Sequence, residues 1–332
     1  MYGLVPSRRT ILEVGTWLDA ERVAELVSQV VVFGLAALVT MGLAFWAHRA
    51  RGDRSALVGL YLLLGAPALL LAIAGLALSV NGRRDGPVVL IVGLGLGLPL
   101  LRPVRAAAAR ITPIDPTSPA DMIGLAVVAA AMGALIYAGV RSPGPPDEVG
   151  SAGIADLVIQ GLGELAIAYA AVGWWFARNL GQATARLGIR WPDWRTWLIA
   201  VGFLVAAFVA LAVLGVVTEA VQPEVNDEVD PITDELTEDV QHPAGALVLG
   251  LSAGVGEESI FRGALQPRFG VPVTALLFGL IHAPQYGFSL VIASLVVMGF
   301  LLGIERRYFG TTAAILTHAA FNTLVVLLQS VA

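Results

Sequence analysis

The chain of 332 residues contains no cysteine and no lysine, and all 20 of its basic residues are arginine. The absence of cysteine excludes disulfides, thiolate nucleophiles and cysteine-ligated zinc. The absence of lysine excludes lysine nucleophiles and Schiff-base chemistry. Histidine is almost as scarce, with only His48, His242, His282 and His318. A site that needs several imidazoles therefore has few candidates.

Charge is scarce as well. Charged residues make up 14% of the chain, against about 25% in soluble domains. Hydrophobic residues make up 57%, and the mean hydropathy is +0.79. A chain with so few polar groups cannot cover a surface that faces water. The composition therefore predicts an all-α, polytopic helical membrane protein, because a helix satisfies its own backbone hydrogen bonds in lipid.

A scan with a window of about 19 residues separates the chain into apolar stretches, most of them near the ~20 residues that cross a bilayer core. The stretches are 24–46, 56–80, 86–101, 120–140, 152–177, 196–217, 244–265, 271–284, 288–304 and 310–331. Two of them, 86–101 and 271–284, are short enough to be tilted or re-entrant, so we expect about 8–10 transmembrane helices. Before the first stretch, Thr10 and Glu13 fit a capping box and predict a short interfacial helix.

The placement of arginine predicts the orientation. Fourteen of the 20 arginines lie at or after the ends of the first, third, fifth, seventh and ninth stretches. By the positive-inside rule these ends are cytoplasmic. The segment 218–243 holds nine acidic residues and no arginine, and it falls on the opposite side, where we expect a solvated acidic loop. The arginine-only, alanine-rich composition favours a prokaryotic plasma membrane.

Ionisable residues inside apolar helices are costly and are therefore candidates for function. They are Asp156, Glu164, Glu257, Glu258, Arg262, His282 and His318. Glu258 and Arg262 are four residues apart and share a helix face, so they can neutralise each other. Glu257 points about 100° away, gains no such partner and is available as a general base. His318 shares a face with Asn322 by the same spacing.

These polar groups come from three segments but lie at similar depths. Counted at ~1.5 Å per residue from the predicted cytoplasmic ends, Glu257 and His318 lie ~12 Å deep, His282 ~16 Å and Asn322 ~18 Å. A carboxylate and a histidine can activate water, and a histidine with an amide can stabilise an oxyanion. The set is therefore suited to hydrolysis. A relay of the same groups in a proton-coupled transporter is an alternative, although no inverted repeat is evident.

The motifs resemble those of the CAAX protease and bacteriocin-processing (CPBP) family of intramembrane proteases. That family is marked by Glu-Glu-x-x-x-Arg, Phe-x-x-x-His and His-x-x-x-Asn/Asp in this order. Here the motifs stand as Glu257-Glu258-x-x-x-Arg262, Phe278-x-x-x-His282 and His318-x-x-x-Asn322. The resemblance covers roughly 195–330, which is expected to form the protease domain, while 1–190 supplies accessory transmembrane helices.

The resemblance implies hydrolysis of a peptide bond within the membrane. Glu257 and His282 would activate water, and His318 and Asn322 would stabilise the oxyanion, with Glu258, Arg262 and Phe278 in support. The expected partners are the lipid bilayer and a peptide or membrane-protein substrate, with no nucleic acid. The active site is predicted nearer the cytoplasmic face. A catalytically silent scaffold or bacteriocin-immunity protein is a further alternative.

Two features of the sequence are open to more than one interpretation. Glu257, His282 and His318 could bind zinc, but catalytic zinc usually has three protein ligands, and a metal-free, glutamate-activated water is slightly favoured. Asp156, Gln160 and Glu164 form one polar stripe along a helix. Helix–helix hydrogen bonding is the favoured interpretation of the stripe, and the alternative is that it lines a cavity continuous with the active site.

Overall fold

The computed structural model describes residues 20–141 and 150–330, except for the side chains of residues 226–230. Within these residues the chain is all-α and forms no strand, apart from one isolated bridge between Trp174 and Arg178. The interfacial helix predicted around Thr10 and Glu13 lies outside the described residues. The predicted fold class is confirmed.

The N-terminal half is built from long apolar helices and short connecting segments. Its helices are α1 (Ala20–Arg49), α2 (Arg54–Val80), α3 (Gly86–Gly97), α4 (Arg102–Ala108), α5 (Pro119–Arg141), α6 (Ile154–Ala171) and α7 (Leu180–Leu187). Local chemistry explains where they start. The side chain of Asp53 accepts hydrogen bonds from the backbone N–H groups of Ser55 and Ala56 and caps α2, as short polar residues do at helix starts. The short stretch around 86–101 leads from α3 into α4 through a bend of 91°.

The C-terminal half carries the predicted motifs. Its helices are α8 (Trp194–Val221), α9 (Glu224–Thr237), α10 (Pro243–Glu258), α11 (Gln266–Leu280), α12 (Ala283–Tyr286), α13 (Leu290–Phe309) and α14 (Thr311–Gln329). The π-helical turn Ser259–Leu265 joins α10 to α11. His242 has a structural role, because its Nδ1 accepts a hydrogen bond from the backbone N–H of Gly245 and caps α10.

Two expectations about these segments are corrected. The acidic segment 218–243 is not a loop, because most of it forms α9, which packs against α8 and α12. The stretches 244–265 and 271–284 belong to one helical run that changes direction at Gly270, where φ is 76°. Seven helices of the described chain are long and apolar enough to cross a membrane, or eight if the bent pair α3–α4 counts as one span. The protein is therefore a multi-pass membrane protein.

Small residues bring the central helices together. A Cβ at Gly161 of α6 would lie 2.9 Å from Cα of Ser252 on α10, and one at Gly254 of α10 would lie 2.8 Å from the carbonyl oxygen of Ile315 on α14. Glycine at these positions lets the backbones approach closely, as is common where membrane helices pack. Helix α10 is consequently enclosed between α6 and α14, while α11 packs on α13.

The arginine-rich ends of the helices form one face of the molecule. Arg186 of α7 donates to the carbonyl of Gly263, and Arg190 donates to the carbonyl of Phe309. Not every arginine counted for the orientation lies on this face. Arg105 is buried and its guanidinium group binds three backbone carbonyls, and Arg262 is fully buried.

Candidate active site

The carboxylate of Glu258 connects two of the predicted motifs. It is fully buried at the C-terminal end of α10. Its Oε2 lies 3.0 Å from Nε of Arg262, and its Oε1 lies 2.9 Å from Nδ1 of His318 on α14. The first contact is an ion pair without hydrogen-bond alignment, because Nε of Arg262 makes no hydrogen bond. The predicted pairing of Glu258 with Arg262 is therefore confirmed, and His318 is a second partner.

The contact with Glu258 defines the hydrogen-bonding roles of His318. A carboxylate accepts hydrogen bonds, so Nδ1 of His318 carries a proton. Nε2 then faces Nδ2 of Asn322, which lies 3.3 Å away and one turn further along α14. A neutral His318 accepts a hydrogen bond from this amide, whereas a protonated His318 presents a second N–H beside it. The two nitrogens are close enough to reach one shared oxygen atom.

The ring of Phe278 lies between the remaining groups. Its centroid is 5.1 Å from that of His282 and 5.8 Å from that of His318. The guanidinium carbon of Arg262 lies 4.6 Å from the same centroid, a distance at which a cation is attracted to an aromatic face. The three sequence motifs, which come from α10 with its π turn, α11 and α14, therefore meet around one buried ring.

His282 lies in the turn between α11 and α12. Its Nδ1 is 2.8 Å from the carbonyl oxygen of Phe278. Because a carbonyl can only accept, Nδ1 carries the hydrogen, and a neutral imidazole retains its lone pair at Nε2. The side chain is only half-buried. The hydrogen bond to Phe278 thus fixes the orientation of His282 and leaves the lone pair of Nε2 able to accept a hydrogen bond.

Among the described residues, Glu257 differs from its neighbour Glu258 in forming no ion pair. Its Oε2 is buried and makes no hydrogen bond within the described part of the chain. It is close enough to His318 and Tyr286 for electrostatic interaction. Of the two adjacent carboxylates, Glu257 is therefore the one that forms no ion pair within the described residues.

Residues 240–324, which contain all of these groups, match the family model described as type II CAAX prenyl endopeptidase, Rce1-like. The chain contains an Rce1-like domain. This is consistent with the CPBP and CAAX protease family and indicates a peptidase. No curated protein and no solved structure matches the chain.

The polar stripe of α6 divides into two parts beside the Rce1-like domain. Asp156 binds Arg22 and Gln29 of α1, which confirms helix–helix hydrogen bonding at this end. Glu164 accepts a hydrogen bond from Gln160 at 3.0 Å, but its Oε2 is buried without a partner. That oxygen occupies the space where a Cβ of residue 256 would lie, at 2.4 Å. Glu164 therefore borders the site next to Glu257, with which it interacts electrostatically.

Two residues of the Rce1-like domain were missed by sequence reasoning. Glu305 is fully buried, accepts a hydrogen bond from Thr317 at 2.8 Å and has an Oε2 without a hydrogen-bond partner in the described part of the chain. Tyr286 hydrogen-bonds the side chain of Thr233 on α9 and lies near Glu257. The spacing Phe278-x-x-x-His282-x-x-x-Tyr286 was a signal that could have pointed to it.

The predicted metal ligands of the Rce1-like domain do not fit a zinc site. Within the described residues, no three histidine, aspartate or glutamate side chains are grouped so that they could hold a metal ion. One nitrogen of His318 contacts Glu258 and the other faces Asn322. Glu257, His282 and His318 therefore do not supply the three converging ligands that catalytic zinc usually has. No step proposed below uses a metal.

Proposed function

We propose that the protein is an intramembrane endopeptidase that hydrolyses peptide bonds of a membrane-associated protein or peptide. One contrast carries the proposal. The carboxylate of Glu258 is engaged by Arg262 and His318, while the adjacent carboxylate of Glu257 has a buried oxygen without a partner. A general base needs a free lone pair within reach of water, and only Glu257 of the two offers one.

The first step is the attack of water on the scissile carbonyl carbon. Glu257 removes a proton from the water, and Nε2 of His282 accepts a hydrogen bond from its second hydrogen and orients it. A bond forms between the water oxygen and the carbonyl carbon, and the carbonyl electron pair moves to its oxygen. Glu257 holds the proton at the end of this step.

The second step is the collapse of the tetrahedral intermediate. Nδ2 of Asn322 and a protonated Nε2 of His318 donate to the oxyanion, and Glu258 stabilises the imidazolium through Nδ1. The carbon–nitrogen bond then breaks, and Glu257 gives its proton to the leaving amine. The two products are an amine and a carboxylic acid, which keeps the second hydrogen of the water until it loses that proton to solvent, and Glu257 is regenerated as a carboxylate.

The surroundings of the site suggest its location. The domain proposed for 195–330 supplies all catalytic groups, and the helices of 1–190 flank it. Arginines cluster at the face that holds the π turn and the start of α14. By the positive-inside rule this face is cytoplasmic in the plasma membrane of a prokaryote, and the site lies nearer to it.

The test is cleavage of a quenched peptide library by purified protein in detergent or lipid. We expect Glu257→Gln and His282→Ala each to lower turnover by at least about a hundredfold, the usual contribution of general acid–base catalysis. Glu235→Gln is the matched control, because Glu235 is exposed on α9. Thermal unfolding in the same detergent checks that the variants are folded.

Cleavage by both variants at the parental rate would show that the catalytic assignment is wrong. Elemental analysis of the active protein tests the metal-free mechanism separately, since stoichiometric zinc that is lost together with activity would contradict it. Proton uptake without cleavage by the parent protein would favour the transporter. The absence of both cleavage and proton uptake would favour the scaffold or immunity protein.

A further inference from the structure

A basic recess opens at the arginine-rich face, away from the catalytic groups. It has a volume of about 470 Å³ and lies between the end of α1, the start of α5, the segment after α6 and the start of α11. Its polar lining includes His48, Arg51, Arg178, Gln182 and Arg268. Four of these five side chains can carry positive charge, and none can carry negative charge. The recess is therefore suited to an anion.

The recess continues into an apolar groove inside the helix bundle. The groove has a volume of about 290 Å³ and separates α1, α5 and α6 from the π turn and α11. Ala44, Ala120, Ala171 and Arg268 line both spaces. Other lining residues, such as Ala168 and Ala264, are small, and this leaves the groove open. Apart from Arg268, the residues that line the groove are almost all apolar, which suits a hydrocarbon chain.

The positive charge of the recess is only partly compensated. Arg268 forms an ion pair with Asp121, which also interacts with the nearby Arg186, and Arg51 interacts with Asp115. Within the described residues Arg51, Arg178 and Arg186 form no ion pair. Burial, together with the charges of Arg268, Arg178 and Arg306, lowers the pKa of Arg186 to about 10. Like charges are thus held close together, and a bound anion would relieve their repulsion.

We propose that the recess and the groove together bind one anionic phospholipid, with the phosphate in the recess and an acyl chain in the groove. A free phosphate or a peptide carboxylate would use the recess alone and leave the groove without a role. Basic pockets between transmembrane helices at the cytoplasmic side are typical sites for anionic headgroups. Helix α1 provides access, since only 6% of its most apolar stretch is buried.

A lipid in the groove would lie close to the candidate active site. Ile167 of α6 and Ile260 of the π turn line the groove. Each is three residues, about one helical turn, beyond Glu164 and Glu257 respectively. The site for the lipid is argued from charge and cavity shape alone, and it does not depend on the proposed peptidase activity.

The experiment is native mass spectrometry of the purified full-length protein in detergent, titrated with phosphatidylglycerol or with phosphatidylcholine. We expect one phosphatidylglycerol per protein and at least about tenfold weaker binding of phosphatidylcholine, since the arginines are attracted to the net negative charge of the anionic headgroup. Arg51→Gln with Arg178→Gln should weaken phosphatidylglycerol binding about tenfold or more. Arg83→Gln is the control, because Arg83 is exposed at the other end of α2.

A second variant tests the groove without changing charge. Ala44→Phe places a large side chain at the junction of the two spaces, and it should reduce binding of phosphatidylglycerol about as much as the arginine variants do. Unfolding temperatures in detergent identify any variant that does not fold, and Arg51→Gln alone then replaces the double variant. Equal binding of both lipids, or unchanged binding by Ala44→Phe, would overturn the proposal. If inorganic phosphate competes for binding and Ala44→Phe has no effect, the recess is a simple anion site. If the arginine variants raise the KM for peptide but bind lipid as the parent does, the recess belongs to the substrate.

Discussion

The outer helices, α1 and α2, and the inner helices, the run Pro243–Tyr286 and α14, are all apolar, but they differ in how much of each is buried. Only 6% of the most apolar stretch of α1 and 11% of that of α2 is buried, against 56% for Pro243–Tyr286 and 44% for α14. The ion pair of Arg83 with Asp85 lies just beyond the end of α2, and both side chains are exposed. The inner helices bury Glu258, Arg262 and Glu305 completely. These completely buried charges therefore lie where other helices exclude lipid.

The largest expected effect is the loss of the central buried ion pair. Glu258→Gln removes the charge opposite Arg262 and weakens the acceptor for His318. Removing one member of a buried pair typically costs about 3–5 kcal/mol, because the other charge stays buried. The measurement is the free energy of unfolding in detergent. In the outer helices, Arg83→Gln should cause no measurable change, since exposed pairs contribute little.

This comparison would fail if the two variants lost equal stability. Such a result would mean that water reaches Arg262 and screens it as well as it screens Arg83. The inner helices would then not form the water-excluding environment that their burial indicates.

A smaller effect is expected from glycine replacement in the two regions. A Cβ at Gly250 of α10 would lie 2.2 Å from Oγ1 of Thr323 and 2.3 Å from the carbonyl oxygen of Ala319, whereas one at Gly34 of α1 would meet no atom within 4 Å. Gly250→Ala should therefore destabilise the protein by about 1–3 kcal/mol. Gly34→Ala should leave stability unchanged or raise it by up to about 1 kcal/mol, because alanine is the better helix former. Parallel unfolding curves of both variants test this, and a neutral Gly250→Ala would mean that α10 and α14 pack less closely than they do here.

The smallest expected effect concerns Glu164, which lies on α6 between the two regions. Glu164→Gln keeps the size of the side chain but removes a negative charge near Glu257. Because the two carboxylates interact electrostatically, we expect turnover to change by up to about tenfold, an effect of roughly 1.4 kcal/mol, while stability is retained. Glu25→Gln is the control, because the side chain of Glu25 is 63% exposed on α1. Unchanged turnover and substrate preference would assign Glu164 to helix packing alone.

Sequence reasoning predicted the contacts that lie within one helix. The spacing of Glu258 and Arg262, and that of His318 and Asn322, places each pair on one face whatever the tertiary structure. The scarcity of charge then made Glu257, His282 and Asp156 conspicuous. The all-α membrane class follows from composition, because few other folds can hold so apolar a chain.

The contacts between helices could not be predicted in the same way. The bond from Glu258 to His318 joins residues 60 positions apart, and no local spacing encodes it. Glu305 was missed because its burial depends on Thr317 of a different helix. The sequence predicts a loop for the acidic segment because its charged residues far outnumber the few apolar residues, such as Ile232, that α9 buries. Packing between elements decides each of these cases.

The π turn Ser259–Leu265 has a consequence for chain length. A π turn amounts to one residue inserted into an α-helix. Deleting a single residue between Glu258 and Gln266 would restore α-helical geometry and rotate α10 against α11 by about 100°. One of the two adjacent glutamates would then take the place of the other relative to Phe278 and His282, although every catalytic side chain would still be present. The number of residues in this turn is therefore as much a part of the site as the identity of its side chains.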